Sequence, residues 1–262
     1  MTRKELSEFT AFARSLATDA ARMVKRGFNR PRRIKYKGRI DPVTEYDLKS
    51  EHLITGRIEQ RYPHHEILAE EGSATGQRSE YRWVIDPLDG TVNFAHGFPV
   101  YCVSVALEYR GEVVVGAVCD PERDELFWSA KGGNAYLNRH RIKVTNERNL
   151  ERSLLATGFA YDIGTAKRNN LGLFARMAKK AQGIRRAGSA AIDLCWLACG
   201  RIDGFWELKL RPWDTAAATL IVKNAGGRIT RVDGRPYSIL DNDLLASNSR
   251  IHTAMGEVLT KC

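Results

Sequence analysis

The sequence predicts a mixed α/β fold in two closely packed parts, and three observations carry that expectation. Apolar residues near the N-terminus recur at three- and four-residue intervals, the stretch from 100 to 144 is β-rich and broken by turn signals, and beyond 147 strand-like and helix-like segments alternate. The 262 residues, 43% of them hydrophobic, suffice to bury a substantial core.

Leu6, Phe9, Phe12, Ala13, Leu16, Ala20 and Met23 mark residues 4–25 as an amphipathic helix. In "RRIKYKGRIDPVTEYD", Lys-Gly separates two short alternating runs and predicts a basic hairpin. "DLKSEHLITGRIEQRY" reads as a helix ended by Pro63, and "EILAEEG" as a strand running into two glutamates. "YCVSVALEY", "EVVVGAVCD", "ELFWSA" and "AYLNRHRIKV" form an expected antiparallel meander. "SLLATGFA", the helical "TAKRNNLGLFARMAKKA", "SAAIDLCWLACG", "GFWEL", "WDTAAATLIVKNAGG", "RITRV" and "DLLASN" then follow in the rhythm of an α/β layer. A boundary near residue 147 divides a 1–146 part from a 147–262 part.

Apolar runs such as "VVVGAV" and "AAIDLCWLAC" fall short of the roughly 20 residues of a membrane span. The N-terminal 24 residues carry charges where a signal peptide needs an unbroken apolar core, so a cytoplasmic protein is expected. Five cysteines at spacings that match no zinc pattern indicate reduced thiols. The balance of 41 Lys and Arg against 31 Asp and Glu, net +10, favours acidic ligands or nucleic acid and equally suits a solvated surface.

The chemistry concentrates in "WVIDPLDGTVNF", residues 83–94. A strand from Tyr81 to Ile85 delivers Asp86 to a sheet edge, Pro87 stops the ladder, and a turn brings Asp89 beside Asp86. One such aspartate is usually a turn or cap residue. Two of them, with Glu70, Glu71, Asp47 and Asp214 at other element ends, call for a proton or a cation. An all-oxygen donor set points to a hard ion, Mg²⁺ where phosphate is also engaged. Gly90 and Thr91 open a short helix whose amides suit an anion, and "GSAAIDLC" at 188–195 offers a second such start. Cations beside an anion cradle imply phosphoryl transfer to water. The spacing D-x-x-D-G-T is not the D-x-D-x-[TV] of phospho-aspartate enzymes. Cys195 to Arg201 fits C-x5-R, but Cys195 lies in an apolar helical run and reads as a core thiol. His64, His65 and His96 read as surface or packing groups.

"WVIDPLDGTVNFAHGFP" and "PWDTAAATLIVKNAGG" resemble the two signatures of the inositol monophosphatase family, within the lithium-sensitive, Mg²⁺-dependent sugar phosphatase superfamily. "DPVTEYD", "AEEGS", "TGFAYD" and "RRAGSAAIDLCWLACGRIDGFWE" appear in family order, so the resemblance spans nearly the whole chain. It implies a layered αβαβα sandwich, usually dimeric. It implies that Glu70, Asp86 and the Leu88 carbonyl hold one Mg²⁺, that Asp86, Asp89 and Asp214 hold a second, and that a third, weaker ion shares Glu70; Li⁺ would inhibit. By the same resemblance Asp47 and Thr91 activate the attacking water, the Gly90 and Thr91 amides hold phosphate, and Gly188, Ser189, Ala190 and Glu207 meet the alcohol. The substrate it implies is a small phosphorylated polyol, myo-inositol-1-phosphate first, with histidinol phosphate and fructose-1,6-bisphosphate as alternatives. Asn224 stands where the family usually has Glu, late in a helix, and is expected to bear on packing. For Glu207 a surface salt bridge with Lys209 or Arg211 is the alternative reading. Arg30, Arg32, Arg33, Lys35, Lys37 and Arg39 keep open a further role with RNA or the transcription machinery.

Overall fold

A capping box opens the chain. Thr2 Oγ1 accepts the Glu5 amide at 3.2 Å while Glu5 Oε2 accepts the Thr2 amide at 2.6 Å, launching α1 (Arg3–Phe28). A second box, Thr44 with Asp47, starts α2 (Glu45–Arg61). The computed structural model describes residues 1–30, 33–37, 40–72 and 78–260, and in it both helices pack on one face of a seven-stranded sheet.

That sheet runs β3 (Glu66–Ala69), β4 (Tyr81–Asp89), β5 (Cys102–Tyr109), β6 (Glu112–Asp120), β7 (Glu125–Ala130), β8 (Ala135–Leu137) and β9 (His140–Arg141) in sequence order. Every pairing is antiparallel except β3 with β4. The predicted basic hairpin is present as β1 (Ile34–Tyr36) against β2 (Pro42–Thr44); Arg32 and Arg39 lie outside the described residues.

The second sheet has the order β11 (Gly183–Arg185), β10 (Leu154–Thr157), β12 (Gly204–Leu208), β14 (Asp243–Ser247), β13 (Arg228–Thr230), with mixed directions. Helices α5 (Ala190–Ala198) and α6 (Pro212–Asn224) lie between the two sheets. Helices α4 (Leu171–Ala178) and α7 (His252–Thr260) cover the outer face of the second. The layers are thus α, β, α, β, α. The period-two pattern of the strands explains why β4 can be buried on both faces: Trp83 and Ile85 enter the core under α1, while Val84 enters the one under α5 and α6. No described helix is long and apolar enough to cross a membrane.

Three expectations change in detail. The helix expected over 165–181 is confined to Leu171–Ala178, because the Asn169 and Asn170 side chains satisfy groups outside it: Asn170 Nδ2 donates to Thr157 Oγ1 and the Gly158 carbonyl, both at 2.7 Å. Strand β11 and helix α7 emerge only in three dimensions, α7 by burying Met255 and Leu259 one turn apart. Pro87 does not end the ladder. It creates a bulge, after which Asp89 pairs with Cys102. Asn224 does serve packing, its amide donating to Ser129 Oγ and the Ala130 carbonyl at 2.7 and 2.9 Å and tying the end of α6 to β7.

Gly116 of β6 sets how closely α6 approaches the first sheet. An added Cβ would overlap the Ala217 carbonyl oxygen and lie 2.9 Å from Ala217 Cα, both backbone of α6. Gly116→Ala should therefore destabilise by about 1–3 kcal/mol and lower the midpoint in calorimetry by about 2–10 °C. An unchanged midpoint would mean that α6 yields without cost.

Candidate active site

The carboxylates reach one place by separate routes. Parallel pairing of β3 with β4 sets Ala69 beside Ile85, with the Glu70 amide donating to the Ile85 carbonyl at 3.3 Å, so Glu70 leaves the sheet alongside Asp86. The bulge at Pro87 and Leu88 then brings Asp89 round. Gly90, at φ 92°, makes the turn into α3 (Thr91–His96), and a Cβ there would press on the Val100 carbonyl at 2.8 Å. Asp47 arrives in the first turn of α2 and Asp214 in the first turn of α6.

Protein donors fix one oxygen of each aspartate. Asp86 Oδ1 accepts the Leu88 amide at 3.0 Å, and Asp214 Oδ2 accepts the Arg211 amide at 2.7 Å. Asp89 Oδ2 accepts Ser189 Oγ–H at 2.6 Å and the Ala191 amide at 2.8 Å, docking the start of α5 onto β4. Asn93 reinforces the same seam, its Nδ2 donating to the carbonyls of Val100 and Ala187 at 2.7 and 2.8 Å.

Burial raises all four acids, and neighbouring carboxylates raise Glu70, Asp86 and Asp214 further. The Asp86 carboxyl stands well above its usual range, first through burial, then through Glu70, Asp89 and Asp214. Asp214 is raised by burial and by Asp89, and Asp89 by burial against the opposing hydrogen bonds of Ser189 and Ala191. Burial pushes Glu70 up to about 7, although Lys37 Nζ lies 3.3 Å from its Oε1 and 2.6 Å from Glu71 Oε1.

Beside them sits a hydroxyl–carboxylate pair. Thr91 Oγ1 is 2.9 Å from both Asp47 Oδ1 and the Leu88 carbonyl oxygen, while Thr44 donates to Asp47 Oδ2 through its amide at 2.8 Å and its hydroxyl at 2.5 Å. Asp47 is 1% exposed, and burial raises its carboxyl despite these donors.

Among the described residues, no three His, Cys, Asp or Glu side chains stand as a ready-made metal cage. The donor set nonetheless fits a hard cation: it is all oxygen, and Glu70, Asp89 and Asp214 all raise Asp86, while Lys37 is the ammonium paired with Glu70.

Burial and Asp89 push Glu207 up to about 8, with Arg186 opposing. Among the described residues no ion pair joins it to Lys209 or Arg211; Lys209 pairs instead with Asp162, which removes the salt-bridge reading. A Cβ on Gly158 would collide with the Glu207 carboxylate. Gly188 takes φ 89°, and Ser189 caps α5 with Ala190 as its first residue. Cys195 is fully buried in α5, as a core thiol. His65 stacks between Tyr62 and Tyr81 and accepts Trp83 Nε1–H at 3.1 Å, a packing role.

Two residues beside the site were missed. Asp193, 1% exposed and with no partner for Oδ1 among the described residues, is raised by burial and by Glu207. Its signal was an acid inside the apolar run "AAIDLC". Tyr161 lies in the field of Asp41, Glu70, Asp89 and Asp86. Nothing in its local sequence announces that.

The chain that builds this site matches a family model over residues 5–261, described as the inositol monophosphatase family. The chain belongs to the inositol monophosphatase family. An inositol-1-monophosphatase of Synechocystis is 46% identical over 228 residues, covering 86% of this chain and 79% of that protein. The Nus factor SuhB of Escherichia coli is 37% identical over 242 residues, covering 91% of each. The solved structure of an inositol monophosphatase from Anabaena superposes with a TM-score of 0.89 at 40% identity, covering 97% of this chain and 96% of that one. The family is one of phosphoric monoester hydrolases.

If like-charge burial dominates this inositol monophosphatase site, a metal-free sample should gain stability from Asp86→Asn. Glu70 titrates near 7 when folded against 4.5 unfolded. The folded state therefore holds the extra proton, and stability falls as pH rises through that window. In EDTA at pH 8 the variant should melt above wild type, whereas Mg²⁺ should raise the wild-type midpoint and leave the variant's nearly unmoved. An equal Mg²⁺ shift in both proteins would contradict the assignment.

Proposed function

We propose that the protein hydrolyses the phosphate monoester of a small polyol, myo-inositol-1-phosphate first, with Mg²⁺ held by Glu70, Asp86, the Leu88 carbonyl, Asp89 and Asp214. The observation that carries this reading is the buried Asp47–Thr91 pair at 2.9 Å beside Asp86 and the three carboxylates that raise it, Glu70, Asp89 and Asp214. When bound, the ions neutralise phosphate charge and make water more acidic.

The chain's own groups supply the proton path. Thr91 has one hydrogen and two acceptors; given to Asp47, it leaves the hydroxyl oxygen able to accept from water. Water then passes a proton to Thr91, Thr91 passes its own to Asp47, and the hydroxide oxygen attacks phosphorus as the ester P–O bond breaks; the departing alkoxide takes a proton from solvent water, and Asp47 returns the proton it holds to the hydroxide so formed, which restores the pair. The amides of Gly90 and Thr91 hold the phosphate. Gly188, Ser189, Ala190 and Glu207 face the alcohol, where a carboxylate accepts from ring hydroxyls and an unpaired partner costs about 1–3 kcal/mol.

Asp47→Asn should cut kcat by on the order of 10²-fold or more with KM little changed, measured as phosphate release from myo-inositol-1-phosphate in Mg²⁺. A retained kcat would remove Asp47 from the proton path. Glu207→Gln should lower kcat/KM for this ester much more than for p-nitrophenyl phosphate, which has no ring hydroxyls. A panel with histidinol phosphate and fructose-1,6-bisphosphate decides the alcohol, and equal losses on all esters would assign Glu207 to folding.

A second reading, association with RNA or the transcription machinery, draws on the relatives named Nus factor SuhB. Lys37 is turned onto Glu70 and Glu71, so within the described hairpin the basic face rests on Arg33 and Lys35. Salt-dependent RNA retention by EDTA-treated protein would support this reading independently of hydrolysis.

A further inference from the structure

Among the described residues, five that are not glycine have positive φ, and three of these, Arg110, Asp124 and Asn138, occupy strand-to-strand turns of the first sheet. Lys209 is different: at φ 66° it directly follows β12, two residues past Glu207. A side chain in this region costs about 1 kcal/mol relative to glycine. What it gains is an ion pair, Lys209 Nζ to Asp162 Oδ2 at 2.5 Å.

Asp162 belongs to the segment 158–170 that leads from β10 to α4, and the ends of that segment are fixed separately. Asn170 bonds Thr157, Gly158 and Trp206, each at 2.7 Å, and Arg168 pairs with Asp243. Among the described residues, the Lys209 pair alone holds the side chain of Asp162. Next to it in the chain stands Tyr161, and at the near end the backbone of Gly158 seats the Glu207 carboxylate. The space between the segment and the end of β12 is a cavity of ≈ 10 Å³, about one water.

We propose that Lys209 and Asp162 are positioning residues, a clamp that holds segment 158–170 against the end of β12 and so sets Gly158 against Glu207 beside the alcohol of the substrate. The clamp rests on the reading of the site as a polyol phosphatase. Both partners are half-exposed, at 31% and 53%, so the pair opens readily and its loss changes binding by about two- to fivefold.

The intact enzyme is compared with Lys209→Gly, Asp162→Asn and the double variant. Lys209→Gly relieves the left-handed residue, so its midpoint should equal or exceed that of wild type. Hydrogen exchange across 159–166 should nevertheless quicken in all three. KM for the polyol ester that wild type hydrolyses best should rise about two- to fivefold, more than KM for p-nitrophenyl phosphate, and the double variant should add nothing further. Unchanged exchange, additive single effects, or faster exchange without a change in KM would each overturn the clamp. Wild type inactive on every polyol ester would refute the hydrolase reading, and the exchange result would still decide whether the clamp exists.

Discussion

Like charges held side by side are the constraint around which this protein is arranged. Burial raises the carboxyls of Glu70, Asp86, Asp89 and Asp214, and neighbouring carboxylates add to the shifts of Glu70, Asp86 and Asp214. Such a cluster persists only where the surrounding backbone holds it. The donors that do so, the amides of Leu88, Ala191 and Arg211, belong to a bulge and two helix starts that cannot rearrange without unfolding their elements. The result is a site poised for positive charge.

The middle layer explains how the two sheets share the site. Helices α5 and α6 belong to the later part of the sequence, yet their first turns bring Ser189 and Asp214 to the edge of the earlier sheet. The N-terminal ends of helices carry partial positive charge, which favours carboxylates there, and Asp47 and Asp214 both occupy first turns. Gly116 permits the close seating of α6 that this delivery needs. Stability of the stack and assembly of the site therefore depend on the same contacts.

The rim follows a different physics. Lys37 on one side, paired with Glu70 and Glu71, and the Lys209–Asp162 pair on the other are partly exposed. Such contacts are individually weak. The centre is over-determined and the rim is adjustable, a division that suits a site where the chemistry is common to many esters and the alcohol varies.

The sequence by itself determined the long amphipathic α1, the meander, the later α/β alternation and the identity of the six acids, because periodicity and the D-P-L-D-G-T turn are local signals. The family motifs extended that to the layered fold, with which the match to the Anabaena structure agrees. Only the tertiary structure decided the rest. Pro87 became a bulge because β5 supplies a partner for Asp89 beyond it, and the helix before Lys179 shrank because buried Asn170 found partners in β10 and β12. Asp193, signalled by its apolar run, and Tyr161, which has no such signal, come into the field of the site's acids through long-range packing. Lys209 found Asp162 forty-seven residues away in a backbone conformation that its own side chain opposes. Spacing along the chain encodes elements, whereas burial, register and charge pairing between distant segments arise only once those elements are stacked.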